Sequence, residues 1–410
     1  MKYLLPFLIF IYGCSTETPS RNFSDEDALK HAKKILSSTP LIDTHNDLPW
    51  TIRNRDQAPR DIFEFDLKKN LDGDTDIPRL REGMVGGQFW SVFIPGEVEE
   101  FGYAKMQLEQ IDIAHRMIEL YPDDLELALT ADDIMSSFKK GKIASLIGIE
   151  GAHAIENSLG ALRIYYRLGV RYMTLTHNVT LDWADAVMDK PKNNGLTEFG
   201  NEVVREMNQL GMLIDLSHVS PKVMSDVLDI TESPVIFSHS NAYDLTNHPR
   251  NVPDSILVRL KDNGGVIMLS FIPFFVSQEA ADYIEAGDKT IKGCNTSECL
   301  EALAANSPKA NVGHVVEHIE YVRDLVGIDH VGIGSDYYGS ADMPIGLEDV
   351  SKFPNLFAAL IKKGWPDEDL RKLAGKNILR VMKQNEANAK RIQKSRRPST
   401  KVIEDYNNDD

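Results

Sequence analysis

The chain is poor in cysteine: only Cys14, Cys294 and Cys299 occur in 410 residues. Three thiols can build neither a disulfide-dense scaffold nor a Cys₄ zinc site. Positive charge is also scarce, since 45 basic residues face 62 acidic ones and leave a formal net charge of −17. A surface of that sign repels phosphate backbones, so no nucleic-acid partner is expected. Long apolar runs are missing as well. The longest at the N-terminus, Tyr3–Tyr12, falls well short of the roughly 20 residues that span a bilayer. Disorder on a large scale is excluded by an ordinary composition, 42% apolar, 26% charged and 8% aromatic.

What the N-terminus does contain is an address. Lys2 precedes the apolar run, which ends in Ile11-Tyr12-Gly13-Cys14 followed by Ser and Thr. This resembles a bacterial lipoprotein signal, although Tyr12 is bulkier than the usual residue. The expectation is a signal peptide over 1–13, lipidation of Cys14 and a polar tether over 14–23. The protein would then be exported and lipid-anchored to the bacterial cell envelope. An ordinary cleaved signal with an incidental cysteine is the alternative. In an oxidising compartment Cys294 and Cys299 suit a short-loop disulfide, or equally two free thiols.

From residue 24 onward, short apolar runs end in polar residues and are followed by amphipathic stretches. The runs that read as strands are Leu41–Thr44, Gln88–Ile94, Ile143–Ile149, Arg171–Thr176, Leu213–Ser217, Val235–Ser238, Val266–Phe271 and Val331–Ser335. Ser24, Thr197 and Ser220 (the last before Pro221) read as helix N-caps, and Val312–Leu325 carries helical apolar spacing. Eight strands alternating with helices predict a (β/α)₈ TIM barrel over residues 24–385, for which 410 residues give ample length. Residues 277–311 read as a polar, irregular insertion, and 386–410 as a polar, disordered tail.

Barrel chemistry gathers where the strands end. Those ends carry His45, Asp47, Glu150, His177, His218, His239 and Asp336, including four of the chain's 11 histidines. Each has an ordinary explanation alone, such as a turn at His45-Asn46-Asp47 or an ion pair between Glu150 and His153. Together, several ionisable groups meeting at one mouth are costly to desolvate without compensation. Divalent metal is the simplest compensation. Imidazole and carboxylate suit Zn²⁺ and equally Mn²⁺, Co²⁺ or Fe²⁺. Three His and two acids exceed the needs of one catalytic ion and suit two that share a carboxylate and a water.

These segments resemble the membrane dipeptidase (renal dipeptidase type) family of zinc metallopeptidases. The resemblance runs from about Leu41 to Val381 through IDTHNDLPW (42–50), IEGAHAI (149–155), LGVRYMTLTHN (168–178), MNQLGMLIDLSHVS (207–220), FSHSNA (237–242), RNVPD (250–254), VGIGSD (331–336) and GLEDVSK (346–352). It implies a hydrolase with two Zn²⁺ per chain, held by His45 and Asp47 on one ion, His218 and His239 on the other, and Glu150 between them. It further implies His177 beside the reacting carbonyl, Arg250 on the substrate's terminal carboxylate, and Asp336 as proton carrier or amine contact. Dipeptides, including those with a C-terminal D-residue, are the implied substrates, and a homodimer is compatible with the family. Three departures stand out. Thr44 replaces a usual Gly before the first ligands, Gly151-Ala152 replaces Gly-Gly, and Asp336-Tyr337-Tyr338-Gly339 replaces Asp-Phe-Asp-Gly, so that Tyr338 stands for an acid. The competing readings are another two-metal barrel hydrolase acting on cyclic amides, lactones or phosphotriesters, and a metal-containing binding lipoprotein with weakened catalysis.

Overall fold

The computed structural model describes residues 23–69, 72–98, 102–290, 306 and 308–406. The expected signal peptide, the lipidated Cys14, nearly all of the tether, and Cys294 and Cys299 lie outside the described residues.

Nine strands occur among the described residues: β1 (Leu41–Asp43), β2 (Val85–Ser91), β3 (Leu125–Leu127), β4 (Ile143–Glu150), β5 (Val170–Thr174), β6 (Leu213–Asp215), β7 (Ile236–Phe237), β8 (Val266–Leu269) and β9 (Val331–Ile333). All their pairings are parallel. Pairing of β2 with β4 and of β1 with β9 closes eight of them into a ring, which is the expected (β/α)₈ barrel. The ninth, β3, had no counterpart in the sequence reading. It lies along Ile143–Ser145 of β4, the stretch that precedes the first β5 pairing at Ile147.

Strand side chains alternate between two faces, and the barrel uses both. Ile42, Phe89, Leu146, Tyr172, Leu213, Ile236 and Met268 fill the lumen as one buried cluster. Trp90, Met173, Ile214, Phe237 and Ile267 point outward into a larger cluster shared with helices such as Glu198–Leu210 and Phe353–Lys362. Gly148 leaves room for the Tyr172 ring, since a Cβ there would lie 2.1 Å from Tyr172 Cζ. The anticipated caps form: Ser24, Thr197 and Ser220 accept the N–H groups of Asp27, Gly200 and Val223.

Two expectations need correction. Residues 278–290 of the supposed irregular insertion are helical (Gln278–Thr290). The supposed disordered tail is ordered as far as it is described. Helix Asn377–Ile392 runs through Glu386 and buries Ile378, Val381, Met382, Asn385, Ala389 and Ile392 along one stripe. Beyond it, Ser399 N–H and its hydroxyl donate to Glu206 and Glu202 (both 2.9 Å), and the Tyr406 ring meets Phe199 edge-on. Past Glu386 the stripe rests on Ala389 and Ile392 among Lys, Arg, Asn and Gln, too sparse a pattern to read as a helix face.

Candidate metal centre

Every residue anticipated at the mouth follows, or ends, a ring strand. His45 and Asp47 follow β1, Glu150 is the last residue of β4, and His177, His218, His239 and Asp336 follow β5, β6, β7 and β9. His218 (φ +68°) and Asp336 (φ +67°) hold left-handed backbones, at a cost of about 1–3 kcal/mol each. Neighbouring chain over-determines both turns: Val187 N–H donates to His218 O (2.8 Å), and Asp336 N–H to His45 O (3.2 Å). Gly339 must be glycine beside the second turn, because a Cβ there would sit 2.2 Å from Asp336 Oδ1.

Glu150 stands at the middle. Its Oε1 lies 2.9 Å from His218 Nε2, 3.2 Å from His239 Nε2 and 3.9 Å from His177 Nε2. Its Oε2 turns the other way, 3.6 Å from His45 Nε2, which is itself 3.4 Å from Asp47 Oδ2 and 3.9 Å from Asp336 Oδ1. All seven side chains are buried except the half-buried His177.

The outer ring nitrogens of the three closest histidines are already engaged. His45 Nδ1 meets Tyr172 OH (3.0 Å), His218 Nδ1 meets Asn178 Oδ1 (3.0 Å), and His239 Nδ1 meets Ser238 Oγ (2.8 Å). With Nδ1 donating, each ring offers its Nε2 lone pair to the centre when it is neutral. Burial, with Arg250 acting on His218 and His45 on His239, holds both imidazoles well below the usual range, so both stay neutral. For His45 burial acts in the same direction, but Tyr172 and the Glu150 and Asp47 carboxylates outweigh it and favour a positive charge at this ring, which a proton supplies on Nε2 and a bound cation would supply in its place. The centre is thus a convergence of acceptors, with His218 Nε2 and His239 Nε2 only 2.9 Å apart. His45 Nε2 and Asp47 Oδ1 are buried without a hydrogen-bond partner. Divalent cations fit this donor set: three groups, His45/Glu150/His239, Glu150/His177/His218 and His45/Asp47/Asp336, each bring ligand atoms within 4.8 Å of one another.

Arg250 lies beside this centre, 4% exposed, its Nη2 donating to His239 O at 3.4 Å and its Nη1 to Ser240 Oγ at 3.5 Å. Its guanidinium stacks over Phe275 at 5.3 Å, and among the described residues no carboxylate forms an ion pair with it. Asp336 Oδ2 receives a long contact from Ser270 Oγ (3.5 Å), and burial pushes its carboxyl well above the usual range.

Several details depart from the sequence reading. His153 does not pair with Glu150; its Nε2 binds Ile94 O at 2.9 Å, and burial pushes it down to about 4. Thr44, at the usual glycine position, donates to Ser238 O at 2.6 Å and so ties the chain after β1 to that after β7. The Tyr338 hydroxyl turns to another loop and accepts from Thr75 N–H at 3.1 Å. Tyr172, Asn178 and Ser238, which orient the imidazoles, were not singled out from the sequence. Tyr172 shares the lumen face of β5 with Thr174, a polar period-two signal that points to it.

A closed barrel whose strand ends gather imidazoles and carboxylates with unmatched lone pairs is the framework of a metal-dependent hydrolase. Residues 29–396 match the membrane dipeptidase family (peptidase family M19), and the chain belongs to that family. It is therefore a metallopeptidase of the dipeptidase class. Among solved structures it is similar to the probable dipeptidase PvdM from Pseudomonas aeruginosa, at 25% identity and a TM-score of 0.78, covering 88% of this chain and 99% of that one. It is similar also to the dipeptidase AC, a metallopeptidase of family M19, at 26% identity and a TM-score of 0.72, covering 85% and 98%. A metallopeptidase from Rhodobacter sphaeroides shares the fold at 24% identity and a TM-score of 0.70, covering 85% and 99%.

Proposed function

We propose that this chain hydrolyses the peptide bond of dipeptides, including those with a C-terminal D-residue, as a two-zinc enzyme of the cell envelope anchored through a lipid on Cys14. His45 and Asp47 would hold one ion, His218 and His239 the other, and Glu150 would serve both through its opposed oxygens. When bound, such ions lower the pKa of a shared water from about 15.7 toward 7 and polarise the carbonyl it attacks.

The remaining work belongs to this chain's side chains. Arg250 forks onto the substrate's terminal carboxylate and orients the scissile bond. His177, half-buried beside Glu150, donates to the carbonyl oxygen as negative charge develops there. Asp336 takes the water proton and returns it to the leaving amine. The observation that carries the reading is Arg250: a buried cation that forms no ion pair among the described residues, one carbonyl away from a candidate ligand, awaits an anion from the substrate. The Rhodobacter sphaeroides structure holds a phosphinate mimic of L-Ala-D-Ala, which favours the D-residue part of the proposal.

The test is a panel of L-Ala-L-Ala, L-Ala-D-Ala, a tripeptide, an N-acyl amino acid and a lactone, each with zinc and after chelation. Chelator-sensitive release of amino acids from the dipeptides alone is expected. Turnover of the lactone in preference to dipeptides, or of nothing, would overturn the proposal.

A further inference from the structure

The tripeptide Leu-Ile-Asp occurs twice, at 41–43 and 213–215, each time within three residues of a candidate ligand, His45 or His218. The two aspartates end neighbouring-strand pairs in the same manner. Asp43 Oδ1 accepts Ser335 N–H (2.7 Å), and its Oδ2 accepts Ser335 Oγ–H (2.7 Å) and Gln88 Nε2–H (2.9 Å). Asp215 Oδ1 accepts Ser238 N–H (2.8 Å) and Ser217 N–H (3.1 Å), and its Oδ2 accepts the hydroxyls of Ser238 (2.5 Å) and Thr174. Ser335 directly precedes Asp336, and Ser238 directly precedes His239. Each carboxylate therefore sits on one strand and grips the residue before a site side chain on the next. Both are fully buried.

The Asp215 contact also decides a proton position. A serine hydroxyl has one proton, and Ser238 gives its proton to the carboxylate. Only lone pairs then remain on Ser238 Oγ for His239 Nδ1 at 2.8 Å, so Nδ1 carries the hydrogen and Nε2 faces the centre bare. Loss of such an outer partner weakens metal binding about 10–100-fold in comparable sites.

We propose that Asp43 and Asp215 are paired positioning residues that each serve one half of the metal centre, Asp215 acting through Ser238 on His239 and through Ser217 on His218, and Asp43 acting through Ser335, which precedes Asp336 and whose hydroxyl lies 3.4 Å from His45 O, on Asp336 and His45. This rests on the two-ion reading above. Neither aspartate touches the centre itself.

The experiment is a zinc titration of the full chain against a chromophoric chelator, for the wild type, Ser238→Ala, Asp215→Asn, the Ser238→Ala/Asp215→Asn double variant and Asp43→Asn, with melting of each metal-free protein as a fold check. In the wild type two equivalents bind. Ser238→Ala and Asp215→Asn each weaken one equivalent by about 10–100-fold and leave the other unchanged. The double variant is no weaker than the worse single, because the two residues act in series. Asp43→Asn weakens the other equivalent. If Ser238→Ala leaves both affinities intact or weakens both alike, the positioning proposal is overturned. Uptake of fewer than two equivalents by the wild type overturns both it and the two-ion reading. Two equivalents bound with no dipeptide cleaved overturns the catalytic reading alone.

Discussion

Replacing Arg250 tests how a buried cation selects substrate. Burial pushes the guanidinium down to about 10, so it remains charged at neutral pH, yet among the described residues its hydrogen bonds are two long ones to neutral oxygens at 3.4 and 3.5 Å. Each charge-assisted hydrogen bond from its fork to a substrate carboxylate is worth about 1.5–3 kcal/mol. Lysine keeps the charge but surrenders one of the two bonds, so Arg250→Lys should lose about 1.5–3 kcal/mol, or roughly 10–140-fold in kcat/KM. The loss should fall on KM and spare kcat, because the carboxylate is held equally in the ground and transition states.

The decisive assay compares a dipeptide with its C-terminal amide in the wild type and in Arg250→Met. Wild-type enzyme should discriminate strongly against the amide, and the variant should lose that discrimination, with metal content unaltered. Removing an unpaired buried charge should not lower the melting temperature of the metal-free chain. Undiminished preference for the free carboxylate in Arg250→Met would refute the reasoning, and a collapse of its thermal stability would make Arg250 a structural residue instead.

Three further outcomes follow from the same geometry. Asp336→Asn should retain its metal by elemental analysis and lose about 10²–10⁴-fold in kcat. Chelation should abolish activity reversibly and lower the melting temperature, since ligand at 1,000 times its dissociation constant stabilises the fold by about 4 kcal/mol; an unchanged calorimetric midpoint would contradict a metal bound among these acceptors. Asp185 bears on pH. Burial pushes its carboxyl up, but the N–H groups of Gly195 (2.8 Å), Asn193 (2.9 Å) and Lys192 (2.8 Å) outweigh this and hold it below the usual range. A depressed folded value contributes stability above the unfolded pKa of about 3.9 and loses it as pH falls through the folded one. Asp185→Asn should therefore cost about 1–3 kcal/mol in urea unfolding at pH 7, with the gap to wild type narrowing below about pH 4.

Much of the scaffold was legible locally. Ser24, Thr197 and Ser220 cap helices through bonds spanning three residues, and β4 and β8 announce themselves as apolar runs bounded by polar residues. The short β3 was not legible, because Leu125–Leu127 forms only by leaning on a neighbour already in place. Helix Asn377–Ile392 was cut short for a related reason: its last turns are held by what they pack against, not by their own composition.

By itself the sequence determined which residue types stand at the strand ends, because strand and helix periods are local and a polar residue closing an apolar run must lie at an end. It could therefore name His45, Asp47, Glu150, His177, His218, His239 and Asp336 as neighbours of one mouth. Only the tertiary structure decided that the two oxygens of Glu150 face opposite halves of the site, that Arg250 is buried with no ion pair among the described residues, and that Tyr338 turns to Thr75. Those facts depend on barrel closure and strand register, which bring together side chains separated by as many as 292 positions, as in the grip of Asp43 on Ser335. No local pattern encodes a distance of that kind.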